Sequence, residues 1–245
     1  VHWPEVMVTY DDVDKVLFSA DAFGKFGALD VEEDWTCEAR RYYIGIVGKY
    51  GMQVTNLLKK ASALEISKIC PLHGPIWREN IGYILDKYIK WSSYIPEEKG
   101  VVIVYGSVHG HTENAAEVLA NLLGDRGVKN IRLFNASMTH YSQIIAESFK
   151  RSHIVFACAT YNMALFPPMQ VILHELAEHN LQNRAFAFIE NGTWTPASAK
   201  LMSEVLDKLK NNKIIGQNVT VKSALNSDSY AQLARLADEI AQDVK

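Results

Sequence analysis

Val101 to Ala116, VVIVYGSVHGHTENAA, reads as a strand, a tight loop and a helix start. The β-branched and apolar run from Val101 to Tyr105 stops at Gly106, and a helical pattern begins at Thr112. Such a loop gathers backbone N–H groups and hydroxyls at the positive end of a helix, where a phosphate is stabilised without a dedicated cation. Ser107, Thr112 and the amides of His109, Gly110 and His111 are the expected donors. The loop lacks both the Gly-Lys-Ser/Thr ending of a Walker A loop and the spaced glycines of a dinucleotide fingerprint. A single phosphate group is the expected ligand.

Downstream, strand-like runs at 130–134, 153–159, 185–189 and 218–221 alternate with helical stretches that begin near Thr112, His140, Pro168, Pro196 and Asp228. With Val101 to Tyr105 they make five strands, and strict alternation with helices implies a parallel, doubly wound α/β sheet. In a 2-1-3-4-5 strand order, the loops after the third and fourth strands lie beside the phosphate loop, outside the carboxyl ends where ligands of such sheets bind. Those loops read Ala159-Thr160-Tyr161-Asn162 and Glu190-Asn191-Gly192-Thr193-Trp194. Tyr161 and Trp194 are placed to flank a flat ring, while Thr160, Asn162, Asn191 and the Gly192 amide are placed to bond its polar edge. A mononucleotide with a planar heterocycle fits this set, and flavin mononucleotide (FMN) is the natural candidate.

Upstream, strands are expected at 6–10, 16–19 and 66–72, and helices at 33–50, 54–64 and 80–94. Asp21 follows one strand in a glycine-marked turn, and His73 follows another in a Gly-Pro loop that continues no regular element. The proline- and charge-bearing segment 95–100 reads as a linker, which divides the chain into domains at 1–95 and 96–245.

The 245 residues, 48% apolar and 22% charged, describe a globular protein with room for two cores. A net charge of −3 without a basic run gives no footprint for nucleic acid or an anionic membrane, and no apolar run is long enough to span a bilayer. A cytoplasmic location is expected. Cys37, Cys70 and Cys158 are far apart, which argues against a disulfide scaffold, and they are expected to be small buried apolar residues.

From Val101 onward the sequence resembles a flavodoxin-like domain, whose first loop binds the FMN phosphate and whose two later loops hold the isoalloxazine. The whole chain carries a more specific resemblance. His2-Trp3-Pro4, Ala20-Asp21-Ala22-Phe23-Gly24 and Cys70-Pro71-Leu72-His73-Gly74-Pro75-Ile76-Trp77, followed by Glu190-Asn191-Gly192-Thr193-Trp194, resemble the flavodiiron proteins. The resemblance implies that residues 1–95 are the C-terminal part of a metallo-β-lactamase-like diiron domain and that 96–245 are a flavodoxin-like FMN domain. It implies an oxidoreductase that passes electrons from FMN to two non-haem irons and reduces dioxygen to water, nitric oxide to nitrous oxide, or both. A separate electron donor, such as rubredoxin or a reductase, and a head-to-tail homo-oligomer are also implied.

By this resemblance His2, Asp21 and His73 are iron ligands, with Asp21 bridging the metals. The FMN contacts are Ser107, Val108, His109, Gly110, His111 and Thr112, then Ala159, Thr160, Tyr161 and Asn162, then Glu190, Asn191, Gly192, Thr193 and Trp194. Imidazole and carboxylate suit non-haem iron. The family's remaining ligands come from a His-x-Glu-x-Asp-His motif that this sequence does not contain, and His109, His111, His140, His153, His174 and His179 lie in the second domain. The iron site is therefore expected to be incomplete in this chain alone, its remainder belonging to an upstream segment or a partner chain. The alternatives are a flavin-binding electron carrier with an inactive first domain or, since that domain's fold family is largely hydrolytic, a zinc hydrolase. The phosphate loop departs from the family as well, with His109 and His111 where Tyr and Asn are frequent. Backbone amides and flanking hydroxyls are expected to hold the phosphate regardless, with imidazole protonation adding pH dependence.

Overall fold

The structure, a computed structural model, describes residue 2 and residues 5–245. Val1, Trp3 and Pro4 lie outside the described residues, so of the His2-Trp3-Pro4 motif only His2 is described. The chain divides into two compact units, Val1–Ile95 and Pro96–Lys245.

The first unit contains a small mixed sheet of β1 (Thr9–Asp11), β2 (Val16–Phe18) and β3 (Lys68–Cys70), with β1 antiparallel and β3 parallel to β2. Its helices are α1 (Trp35–Val47), α2 (Gly51–Ala61) and α3 (Ile81–Ser92). Asp34 starts α1 by accepting a hydrogen bond from the Thr36 N–H at 3.0 Å. Buried aromatic rings hold these helices together: Trp35 meets Trp77 edge-on at 4.8 Å, and Tyr43 and Tyr88 each lie 5.3 Å from Trp91. Such pairs prefer tilted and edge-to-face arrangements because the ring quadrupoles repel when rings stack squarely.

The second unit is built on β4 (Glu98–Gly106), β5 (Ile131–Asn135), β6 (Arg151–Tyr161), β8 (Ala185–Asn191) and β10 (Val219–Val221), which run parallel in the order β5-β4-β6-β8-β10. This is the expected 2-1-3-4-5 order. Two short strands, β7 (Ala164–Leu165) and β9 (Lys213–Ile214), extend the five-stranded expectation. Val101 to Val104 are fully buried because helices cover both faces of the sheet. On one face α4 (His111–Asp125) and α8 (Ser227–Val244) share a core with alternate residues of β4, β6 and β8. The remaining helices are α5 (Tyr141–Lys150), α6 (Pro167–Glu178) and α7 (Ser198–Leu206).

The cysteine expectation holds only for Cys158, buried within β6; Cys37 is exposed on α1 and Cys70 is partly buried. Cys37 precedes the inward-facing Ala39 by two positions, which on a helix turns it to a different face. No helix among the described residues is long and apolar enough to cross a membrane.

Candidate functional site

In the second unit a cleft of about 470 Å3 opens at the carboxyl ends of β4, β6 and β8. The β4–α4 turn lends it Ser107, Val108, His109, His111 and Thr112. The end of β6 lends Ala159, Thr160, Tyr161 and Asn162, and the segment around the end of β8 lends Asn191, Gly192, Thr193 and Trp194. Thus thirteen of the fifteen residues expected to hold a cofactor line one cavity. Gly110 and Glu190 do not. Gly110 is the N-cap of α4 at φ +85°, a backbone state that glycine adopts without steric cost. Glu190 is buried beneath the cleft wall, accepting from the Thr220 hydroxyl at 2.8 Å, the Asn218 amide at 3.0 Å and the Ala199 N–H at 3.2 Å.

Local bonding explains the turn shapes. Ser107 Oγ accepts from the Gly110 N–H at 3.0 Å and folds the phosphate-loop candidate back on itself. Thr112 is 2% exposed, lines the cleft, and its hydroxyl has no side-chain hydrogen bond among the described residues. The first N–H groups of α4 have no intrahelical acceptor and form the positive end of its dipole. Two expected ring-edge donors are committed elsewhere. Thr160 Oγ1 accepts from the Ala197 and Ser198 N–H groups at 3.0 and 3.2 Å, capping α7 from another strand. The Asn191 amide exchanges two bonds with the Ser223 backbone, donating at 2.9 Å and accepting at 3.0 Å.

Met163, Thr195 and Ser223 line the cleft without having been read from the sequence. Asn162 and Met163, at φ 50° and 61°, are the two central residues of a hairpin in which Thr160 pairs with Leu165 and Tyr161 with Ala164. Two left-handed residues match the twist of such a hairpin, and only the Asn announces it. Ser223 was reachable from strand order, because β10 neighbours β8 and its carboxyl-end loop must border the same cleft. Trp194 is 86% exposed and Tyr161 is 44% exposed, an unusual expenditure of aromatic surface at one mouth.

In the first unit His2, Asp21 and His73 come together. Parallel pairing aligns Phe18 with Cys70, and Asp21 and His73 each follow three residues later. His2 Nε2 lies 2.8 Å from Asp21 Oδ2, and His73 Nε2 lies 3.5 Å from Asp21 Oδ1. His73 Nδ1 donates to the Lys25 carbonyl at 2.9 Å, which leaves Nε2 directed at the carboxylate. Tyr42 contacts His2 Nε2 through its hydroxyl at 3.3 Å and meets the His73 ring edge-on at 4.7 Å. Burial, reinforced by Asp21, pushes the Tyr42 phenol up to about 12. The two imidazoles address different oxygens of Asp21. Among the described residues no group of three or more His, Cys, Asp or Glu forms a ready metal cage.

These features define the class: an α/β protein with a flavodoxin-like second unit and a His-Asp-His cluster in its first. No family model matches the chain. The sequence is 28% identical over 219 residues to an anaerobic nitric oxide reductase flavorubredoxin of Aeromonas hydrophila, covering 84% of this chain and 44% of that protein. The solved rubredoxin oxygen:oxidoreductase of Desulfovibrio gigas superposes with a TM-score of 0.90 at 27% identity, over 99% of this chain and 63% of that one. The flavodiiron protein from Giardia intestinalis has the same fold, with a TM-score of 0.86 at 21% identity over all of this chain and 62% of its own. The chain is thus similar, over most of its length, to proteins named flavorubredoxin, rubredoxin oxygen:oxidoreductase and flavodiiron protein. It spans 63% of one curated relative and 44% of another.

Proposed function

We propose that residues 96–245 bind FMN in the cleft and that residues 1–95 contribute His2, Asp21 and His73 to a diiron centre, the whole acting as a reductase of dioxygen, nitric oxide or both. The observation that carries the reading is the convergence of three strand-end loops on one cleft, with Thr112 at the phosphate loop and two exposed aromatics among its lining. The fit to FMN rests on residues present. Thr112 and the α4 N-terminus suit a phosphate, and Tyr161 and Trp194 offer faces to a flat ring. For iron the fit is partial: imidazole and carboxylate are the right donor types, but three side chains cannot satisfy two metal ions.

Within this reading the chain's own groups have distinct tasks. The phosphate loop binds and orients, Tyr161 and Trp194 screen the ring from water, and the Asn191–Ser223 bonds hold the wall against which it rests. The Lys25 carbonyl fixes the His73 tautomer, so that Nε2 faces the metal position. When bound, FMN supplies electron transfer and iron supplies the site for the gas substrate. A separate donor protein, rubredoxin or a reductase, a head-to-tail homo-oligomer and a cytoplasmic setting complete the proposal. A second reading, an electron carrier with an inactive first unit, is favoured by the absence of a metal cage among the described residues.

The test combines flavin and metal analysis of the purified chain. FMN released on denaturation, with iron retained at His2, Asp21 and His73 and lost in an Asp21→Ala variant, supports the full reading. FMN without iron supports the carrier. Release of FAD, or no flavin uptake on FMN titration, overturns both.

A further inference from the structure

The phosphate end of the cleft carries an unusual charge inventory. Its lining contains no Lys, Arg, Asp or Glu, and its titratable side chains are His109, His111 and Tyr161. Both histidines are exposed and sit on either side of Gly110, at the start of α4. Thr112 beside them, a buried residue, also lines the cleft. A phosphate monoester brought to this loop meets amides, hydroxyls and two imidazoles. Imidazole is the side chain whose ordinary titration falls between about pH 5 and 8.

We propose that His109 and His111 make flavin binding proton-linked, so that capture of the phosphate dianion draws a proton onto this imidazole pair. The inference rests on the FMN reading and adds a selectivity device to it: in the proton-loaded state the loop prefers a phosphorylated flavin over riboflavin. The linkage has a definite sign. A bound dianion favours the imidazolium, so its attraction is fully present at low pH and is lost as pH rises through the titration of the bound pair. The phosphate's own second ionisation, near about pH 6, sets the lower edge, since the monoanion gains less from the same charge.

Other charges around the pair leave this sign intact. On the same helix Glu113 is engaged by the Tyr105 hydroxyl, and Glu117 lies a further turn along. The β6–β7 hairpin contributes only Tyr161 to the cleft, the segment after β8 contributes no charged lining group, and after β10 the exposed Lys222 precedes the lining residue Ser223.

The experiment compares FMN and riboflavin dissociation constants between pH 6.5 and 8.5, by fluorescence quenching of the full chain. For FMN the constant is expected to rise about fivefold across this range. For riboflavin it is expected to stay level. Calorimetry in buffers of different ionisation enthalpy is expected to register net proton uptake with FMN only. A His109→Asn/His111→Asn double variant, altered at exposed positions, is expected to lose both the FMN slope and the proton uptake. FMN binding that is tight but equally pH-independent in both proteins overturns the linkage and leaves the cofactor reading standing. No flavin uptake at any pH overturns both.

Discussion

Gly24 lies so close against His73 that a Cβ at position 24 would fall 2.8 Å from His73 Nδ1 and nearer still to the His73 carbonyl oxygen. The two loops after β2 and β3 are thereby locked together, with Asp21 on one and His73 on the other. Part of the obstruction is backbone, which a rotamer change cannot relieve. Gly24→Ala is expected to destabilise the first unit by about 1–3 kcal/mol through overpacking. It is also expected to shift the His73 imidazole resonances. A denaturant midpoint and a histidine NMR spectrum equal to those of the unmodified chain would show that the loops yield without cost.

Thr160 offers a second test, because it lines the cleft and its hydroxyl oxygen also caps α7. Thr160→Val keeps the shape and removes the acceptor for the Ala197 and Ser198 N–H groups. A loss of about 1–2 kcal/mol in stability is expected, as for other lost N-terminal caps. Hydrogen exchange at Ala197 and Ser198 should accelerate. Protection that stays unchanged would assign the capping to another group.

The parallel sheet was legible because a strand covered on both faces is a continuous apolar run, and Val101 to Val104 can be little else. Its strand order was not written in the sequence, because right-handed crossovers fix parallel pairing but are compatible with more than one order. The two-residue strands β7 and β9 were not legible, since two residues carry no periodicity and Met163 gives no sign of its left-handed backbone. The cleft was readable loop by loop. Its internal bonding was not, because the partners of Thr160 and Asn191 lie more than thirty residues away in sequence. The His2, Asp21 and His73 cluster depended on the family resemblance: its geometry comes from the β2–β3 register, which three-residue strands do not advertise.

His153 provides a pH-dependent expectation in the second unit. Its ring is almost fully enclosed, with Nδ1 2.7 Å from Ser152 Oγ and Nε2 2.8 Å from Asp243 Oδ2. Burial holds its pKa below the ordinary value, against the opposing pull of Asp243. The folded state thus favours the neutral ring, with Nε2–H donating to Asp243 and Nδ1 accepting from Ser152. The unfolded chain binds more protons between the folded and unfolded values, so this contribution is complete above about pH 6.5 and declines as pH falls below it. Urea midpoints of the unmodified chain are expected to fall more steeply from pH 7.5 to 5.5 than those of a His153→Gln variant. Parallel pH profiles would remove His153 from the account.

Trp194 separates binding from folding more cleanly than any other residue of the cleft. At 86% exposure it contributes little to the core, so Trp194→Ala is expected to leave the thermal midpoint of the free protein within about 0.5 kcal/mol of unmodified stability. It lines the same cleft as Thr193, Thr195 and the β6 residue Tyr161. A flavin ring seated between them would gain aromatic contact and lose access to water. Removing the indole should therefore weaken FMN binding by about 1 kcal/mol, roughly fivefold in the dissociation constant. Bound-flavin fluorescence should also become more accessible to an added quencher. Riboflavin should lose affinity by the same factor, because the contact is to the ring and not to the phosphate. An unchanged dissociation constant and quencher response would place the ring elsewhere in the cleft.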